Sequence, residues 1–456
     1  MERHVVLVTA DTGAKAGRVT VSAPFSLLSW LDLRDGESRF LGFGLAEEHV
    51  IWERDDSLGE SELRVGGRLA RWLPLQTPLN LTLFRRSPQH LSLGPLVGLL
   101  ISAPKLEAVL NGRIDHVYCR YAQAAREAGA VLLFCAAGGF DLTRNTVDGY
   151  LHHCDGAGPC RWVPLRTPLP RVLYDRSFGK EARAAATDLR RALEPLGAAV
   201  VNRPVKITKL QAFEALQPPG ELAPHLPRTV PFTPEFLAEM AERCDDLYLK
   251  PDALYKGKGV CRLKRSGAGW EIHSRAEWGN QVRLVGEQAE LAGAVAELLD
   301  PEARYVVQEG LPLATYLGNR FDLRSLVQRD GRGEWRVTGV VARVAPAGSA
   351  ITSPRSGGQV APLDAALRHA FGDRAEEVRA EIERVSLALA ERVDQRVGPC
   401  AELGLDLGVL VDGTVKLIEV NGIPLRVSLE RLKDPLVGER IDRFPIHFGA
   451  YLDMQG

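Results

Sequence analysis

The sequence predicts a multidomain protein of mixed α/β and α+β class, and three observations carry that expectation. The chain has 456 residues, too many for one ordinary hydrophobic core. Its first ninety residues alternate short apolar runs with turn clusters, as at 18–22, 48–53 and 62–65, a period of two that reads as β-strands. From Leu93 onward, apolar strands alternate with stretches of helical periodicity, the mark of parallel α/β units. The expected division is a β-rich N-terminal domain (1–93), an α/β domain (94–205) and a larger C-terminal domain of two lobes (206–456).

In the middle domain, 94–102 reads as a buried strand, 114–128 as a helix and 130–135 as a second strand. A strand at 173–176, a helix over 180–196 and a strand at 199–201 extend it to about residue 205. Beyond a Pro-rich link at 217–234, a helix at 234–243 precedes strands at 246–251, 304–308, 321–328 and 335–343. An amphipathic helix over 374–396 places Val378, Ile382, Val385, Leu389 and Val393 on one face. Two last strands, 403–411 and 415–420, meet at Asp412 and Gly413, a hairpin turn signal.

Composition excludes some classes of function. Charged residues make up 25% of the chain but the net charge is −1, so the electrostatic footprint of a nucleic-acid binder is missing. No segment approaches the ~20 apolar residues of a membrane span, and the first apolar run is too short for a secretion signal. A cytoplasmic protein with no membrane partner is expected. Seven cysteines, an odd number scattered through a long chain, fit reduced thiols better than a disulfide framework. His152, His153, Cys154 and Cys160 gather around a Gly-rich turn. Their spacing matches no standard zinc pattern, and a loop with incidental ligand-type residues is the expectation.

The chemistry concentrates in the C-terminal half. Asp406 lies on one strand of the last hairpin, and Glu419 and Asn421 lie two apart on the next, hence on one face. Two carboxylates and an amide suit a hard Mg²⁺ ion; the plainer alternative is a polar strand end with Asn421 capping the turn. Upstream, Lys250 ends an apolar strand and can meet a phosphate as a point charge. Lys256, Gly257, Lys258 and Gly259 form a short loop whose N–H groups could approach a triphosphate, or a glycine hairpin with solvated lysines. A strand from Tyr305 leads into Glu309, Gly310 and Leu311, where backbone groups could pair with an adenine edge. Asp322 and Arg324 share a strand face, suited to ribose hydroxyls and to a carboxylate or phosphate, or to an exposed ion pair. Arg343 ends an apolar strand, where a charge needs an anionic partner.

Taken in order, Leu249-Lys-Pro251, Gly257-Lys-Gly259, Gln308-Glu-Gly-Leu311, Phe321-Asp-Leu-Arg324, Val341-Ala-Arg343, Gly357-Gly358, Leu405-Asp406 and Ile418-Glu-Val-Asn421 resemble the ATP-grasp superfamily. More closely the chain resembles the YheC/YheD family of endospore coat-associated ATP-grasp proteins, a likeness that also takes in Gly94-Pro95, Tyr174-Asp-Arg176 and Thr208-Lys209. The resemblance implies an ATP-grasp fold preceded by an α/β (pre-ATP-grasp) domain. It implies that Lys209, Lys250 and Lys258 meet ATP phosphates and that Glu309 to Leu311 form the hinge that reads adenine. Asp322 would bind ribose, Arg343 the phosphates, and Asp406, Glu419 and Asn421 the magnesium. Leu254 and Tyr255 stand where related phosphate loops carry a glycine and a small hydroxyl residue, and Leu410 where a second aspartate often follows.

The function so implied is a Mg²⁺- and ATP-dependent ligase that makes an acyl phosphate from a carboxylate and lets an amine (or thiol) attack it. Arg324 and Arg343 are the candidate catalytic cations, with the loop from Ser356 to Gly358 as a further holder of the acyl substrate. Small-molecule or peptide carboxylates and amines are the expected substrates, and the family setting implies spore-coat association and sporulation. An ATP-binding structural protein of the coat, and a small-molecule kinase on the same scaffold, are the alternatives.

Overall fold

The computed structural model describes residues 3–456 apart from 12–18, 67–68, 74–78, 114, 155–159, 203–206, 219, 253–258, 277–278, 348–351, 353 and 355–356. The first seven strands are β1 (Arg3–Ala10), β2 (Thr20–Ala23), β3 (Ser38–Phe43), β4 (Ala46–Arg54), β5 (Glu62–Val65), β6 (Leu79–Ser87) and β7 (His90–Gly94). They close into a barrel in the order β1-β5-β2-β4-β3-β7-β6. The alternation along them turns Val6, Val8, Val21, Val50, Trp52, Leu63 and Val65 into the core. Leu27 and Leu28 of α1 (Phe25–Trp30) and Leu69 of α2 (Leu69–Trp72) join that core. The β-rich expectation holds; closure of the sheet, which leaves no open edge, is decided by pairings a local pattern does not encode.

A second sheet contains β8 (Leu96–Leu100), β9 (Val131–Cys135), β10 (Phe140–Asp141), β11 (Thr146–His153), β12 (Arg161–Pro168), β13 (Val172–Asp175) and β14 (Ala199–Val201). Its centre, β9-β8-β13-β14, is parallel, and every residue of β8 and β9 is buried, as expected of strands covered on both faces. The connecting helices are α3 (Ala103–Leu110), α4 (Asp115–Glu127) and α5 (Lys180–Leu193). Ala186, Leu189 and Leu193 of α5 share a core with the barrel, while Tyr121, Ala122 and Ala125 of α4 line the other face.

The C-terminal half holds two further sheets. One runs β15-β20-β16-β17-β18-β19, from β15 (Thr229–Pro231), β16 (Asp246–Pro251), β17 (Cys261–Ser266), β18 (Gly269–Ala276), β19 (Gly279–Val285) and β20 (Tyr305–Glu309). It is preceded by α6 (Lys209–Ala215), whose Thr208 N-cap forms a capping box with Gln211, and backed by α7 (Pro234–Arg243) and α8 (Gln288–Ala296). The other runs β24-β23-β22-β25-β26, from β22 (Asn319–Arg329), β23 (Trp335–Val344), β24 (Gln359–Pro362), β25 (Glu402–Val409) and β26 (Val415–Asn421), with β21 (Thr315–Tyr316) beside β22. After α9 (Leu363–Phe371), α10 (Ala375–Val397) covers this sheet with the five apolar residues its periodicity singles out.

After α11 (Val427–Glu430), the last helix, α12 (Pro435–Gln455), leaves its own neighbours and packs on the second sheet, where Ile446, Phe448 and Ala450 meet Val97, Leu99 and Phe134. Gly449 makes the approach close: a Cβ there would lie 3.0 Å from Val97. One expectation is corrected. Cys154 and Cys160 are disulfide-bonded, and the other five cysteines form no disulfide. The two lie at the mouth of the β11–β12 hairpin, a proximity that spacing along the chain could not reveal.

Candidate functional site

Strand pairing assembles the site. Arg324 on β22 lies opposite Asp406 on β25, and Asp406 lies opposite Glu419 on β26. One rung away Asp322 lies opposite Arg343 of β23, and Asn421 opposite Gly404. A register shift after Asp406 absorbs Ile418 as an extra residue and so brings Glu419 onto this rung. Five charged side chains thus share one side of a sheet whose other side is packed against α10.

These charges are buried, so their pairing matters. Arg343 donates from Nε and Nη2 to the two oxygens of Asp322, each at 2.7 Å, and its Nη2 lies 3.1 Å from Asp406 Oδ2. Burial would lower the Arg343 pKa, but Asp406 and Asp322 raise it well above the ordinary value and hold the guanidinium charged. Thr352 donates a further hydrogen bond to Asp322 at 2.6 Å. Arg324 sits 3.0 Å from Asp406 Oδ1 and 3.3 Å from Oδ2, and burial lowers its pKa. Among the described residues two buried atoms here have no hydrogen-bond partner: Arg324 Nη1 and Asp406 Oδ1. The Asp406 oxygen keeps its ion pair with Arg324 Nε, whereas the Arg324 nitrogen is an orphan that costs about 1–3 kcal/mol or more unless a ligand meets it.

The facing sheet contributes cations. Lys209, at the start of α6, is 3.6 Å from Glu419 and donates to the Pro251 carbonyl at 3.0 Å. Lys250 at the end of β16 donates to Gln308 at 2.5 Å, and Gln308 in turn donates to Thr229 at 3.0 Å. Burial pushes the Lys250 ammonium down to about 8, partly opposed by Glu419, while Lys209 adds to the lowering. Between the sheets opens a cleft that is continuous with solvent. Ile207, Phe213, Leu226 and Leu417 give it apolar walls, and Lys209, Gln308 and Glu419 polar ends.

Comparison with known proteins decides the family. The model of the "YheC/D like ATP-grasp" family matches residues 197–452, more than half of the chain. The chain belongs to this ATP-grasp family. It is 24% identical over 373 residues to the endospore coat-associated protein YheD of Bacillus subtilis, covering 79% of each chain. With YheC of the same organism it shares 22% over 324 residues, 69% of this chain and 86% of that one. Among solved structures it is similar to the ATP-grasp ligase PsnB complexed with precursor peptide PsnA2 and AMPPNP, with 15% identity and a TM-score of 0.44, covering 79% of this chain and 98% of that one. D-cycloserine synthetase DcsG gives 14% and 0.43, covering 76% and 98%.

Within this ATP-grasp protein, Asp322, Arg324, Arg343, Asp406, Glu419 and Asn421 come together on the large sheet, and Lys209 and Lys250 face them. Glu309 and Leu311 lie at the edge between the lobes, where Glu309 ends β20 and Leu311 packs toward Gly408. Lys258 falls outside the described residues, as do Leu254, Tyr255, Lys256, Gly257 and Ser356. Both oxygens of Asp322 are engaged by Arg343 and Thr352, so a ribose hydroxyl there would compete with those partners.

Several site residues were missed. Lys416 lies 3.6 Å from Glu309 and tethers the end of β20 to β26. Thr229 and Thr352 orient Gln308 and Asp322, and a lone threonine outside a motif gives no signal. Four residues before Asp406 on β25, Glu402 is fully buried. It accepts from Tyr174 at 2.8 Å, Gln328 at 2.9 Å and Arg426 at 2.8 Å, and from Arg176. Arg426 also reaches Asp442 at 2.7 Å, which pairs with Arg120 at 2.5 Å. A charged residue in an apolar strand was the available signal for Glu402.

Proposed function

We propose that this chain is a Mg²⁺- and ATP-dependent ligase that joins a carboxylate to an amine (or thiol) through an acyl phosphate. One observation carries the reading: Arg324 Nη1 is buried without an acceptor on the rung it shares with Asp406 and Glu419, and Glu419 looks into the cleft, 3.6 Å from Lys209. A guanidinium with a donor to spare beside two carboxylates suits a ligand that brings both an anion and a cation.

The donor set fits magnesium. Asp406, whose Oδ1 meets Arg324 only as an ion pair, lies opposite Glu419 on the ladder, and Asn421 gives its Nδ2 to the Gly404 carbonyl at 3.4 Å, which leaves its amide oxygen for a cation. When bound, magnesium would neutralise the charge of the phosphates. The rest falls to the protein. Lys209 and Lys250 hold the polyphosphate, the apolar walls around Ile207, Phe213 and Leu417 take the base, and Glu309 to Leu311 present backbone groups to its edge. Arg343, fixed by Asp322, and Arg324, with a donor to spare, stabilise the charge that develops on the transferring phosphoryl group. Positioning and electrostatics suffice, and no side-chain nucleophile is needed.

The family relatives are called endospore coat-associated, and we assign this chain the same setting as part of the proposal. The test is mass spectrometry of products after incubation with Mg·ATP and a metabolite extract, with Glu419→Ala as control. A new amide or thioester with equimolar ADP, absent from the control, supports ligation. ADP with a phosphorylated metabolite and no condensed product means a kinase. ATP binding without ADP release under amino acids, peptides and dicarboxylates means a structural nucleotide binder.

A further inference from the structure

The β11–β12 hairpin carries a cluster that the ligase reading does not use. Its register pairs His152 with Trp162 and His153 with Arg161, so the next residues across the hairpin are Cys154 and Cys160. Their disulfide joins Cα atoms 4.1 Å apart and closes the hairpin's mouth. His152 is buried against them, its ring 4.7 Å from that of Trp162. Its Nε2 lies 3.3 Å from Cys119 Sγ on α4, and its Nδ1 points to Cys154 Sγ at 4.0 Å. One ring nitrogen of His152 and the two sulfurs lie within 4.8 Å of one another.

We propose that His152, Cys154 and Cys160 form a redox-gated site for a thiophilic divalent cation of the zinc class. Two thiolates and an imidazole are the borderline-soft donors such a cation selects. A ligating histidine is normally oriented through its other ring nitrogen, and Cys119 already occupies that place on His152. Strand alternation turns His153 to the opposite face and excludes it. The neighbouring Arg126 donates to the His152 carbonyl at 3.3 Å and anchors the strand end to α4.

Opening the site needs a reductant of the dithiol class. The dithiol supplies two electrons and two protons, the Cys154–Cys160 bond breaks into two thiols, and the dithiol leaves as its own disulfide. The cation then displaces both thiol protons to solvent and forms three bonds, two to sulfur and one to Nδ1, with the fourth tetrahedral position taken by water. Metal–sulfur bonds of about 2.3 Å set the sulfurs roughly 3.7 Å apart, so they need only part by a short distance at a hairpin end. Two negative thiolates balance the 2+ charge, and no further counter-ion is required. The same hairpin mouth is therefore closed by a disulfide when oxidised and by a cation when reduced.

The experiment uses the full chain, reduced with a dithiol and freed of it by gel filtration under nitrogen, beside the oxidised chain. On titration with Co²⁺, the reduced chain binds one equivalent, with the thiolate-to-cobalt charge-transfer band and the visible bands of a four-coordinate ion. The oxidised chain gives neither, and Zn²⁺ abolishes the signal by displacement. Cys119→Ser weakens binding about tenfold, the usual effect of losing an outer partner. As a readout independent of variants, Zn²⁺ protects two thiols of the reduced chain from alkylation, and peptide mass spectrometry assigns them to Cys154 and Cys160. Absence of cobalt binding by the reduced chain, protection of other cysteines, or a band persisting in a folded Cys154→Ser/Cys160→Ser variant would each overturn the proposal. Loss of ATP turnover leaves these readouts unaffected, so the site and the ligase reading fail separately.

Discussion

Two buried clusters of charge sit on the same strand, β25, and they are finished differently. Around Glu402 both carboxylate oxygens are taken, by Tyr174 and Arg176 on one side and Gln328 and Arg426 on the other. Burial would raise the Glu402 pKa, but Arg426 and Arg176 hold it well below the usual carboxylate range. Among the described residues Arg426 Nε is the atom of this group left without an acceptor. Four residues along, around Asp406, Arg324 Nη1 stays without an acceptor on the rung of Glu419, which lines the open cleft. A buried network whose carboxylate is fully hydrogen-bonded fixes structure, and one that runs out into a cavity is poised for a ligand. The first joins three parts of the chain, since Tyr174 comes from the second sheet, Gln328 from the large lobe and Arg426 from beyond β26. It thereby holds the Asp406 rung in place from below.

That contrast predicts opposite phenotypes. The largest effect expected is on turnover: Glu419→Ala removes a carboxylate that is only half-buried, so ADP release falls about 10²- to 10³-fold, the scale of one electrostatic contact in a transition state. The far-UV circular dichroism and denaturation midpoint stay near those of the parent. Unchanged turnover would sink the metal assignment. At the other cluster, Glu402→Ala leaves Arg176 buried without its anion and Arg426 with Asp442 alone, and stability drops by about 3–5 kcal/mol by urea denaturation. The pH dependence has a definite sign. Because the folded pKa is depressed, the stabilisation from Glu402 is present above its unfolded pKa and is lost as pH falls toward the folded value. The parent therefore loses stability on acidification below about pH 4.3, the unfolded value for glutamate, more steeply than Glu402→Gln. An Ala variant that is stable but inactive would erase the distinction between the clusters.

Much of the Asp406 rung was legible because strand alternation is local: Asp322 with Arg324, and Glu419 with Asn421, share a face by spacing alone. The helix of Val378 to Val393 and the Asp412–Gly413 hairpin were legible for the same reason. What escaped depends on pairing between distant strands. The extra residue Ile418, which sets Glu419 opposite Asp406, leaves no mark in the sequence, and neither does the register that brings Cys154 to Cys160. Glu402 draws its four partners from positions spread between Tyr174 and Arg426. The last helix was overlooked although its start was written locally: Asp434 caps it, accepting from the N–H groups of Leu436 and Val437, and Pro435 occupies the first turn.

Arg324 sharpens the comparison at intermediate size. Arg324→Lys keeps a positive charge beside Asp406 but loses the fork that leaves Nη1 free, so kcat falls about 10- to 100-fold with little change in the affinity for ATP. A rise in KM for ATP with kcat intact would move Arg324 from the acyl end of the site to the nucleotide end.

The smallest effect concerns protons. Lys250 ionises near 8 in the free protein because burial outweighs the attraction of Glu419. A polyphosphate placed against it favours the charged form and restores its pKa toward or above the ordinary value, so binding at pH 8.5 must take up a proton at every neutral Lys250. Uptake of roughly half a proton or more is expected, and affinity should fall as pH rises through this range. Calorimetric titrations of a non-hydrolysable ATP analogue in two buffers of different ionisation enthalpy measure the uptake directly. Lys250→Arg remains charged throughout and should show none of this contribution. If uptake persists in that variant, the proton enters elsewhere, and Lys250 belongs with Glu402 among the groups that hold the lobes together and not with those that meet the nucleotide.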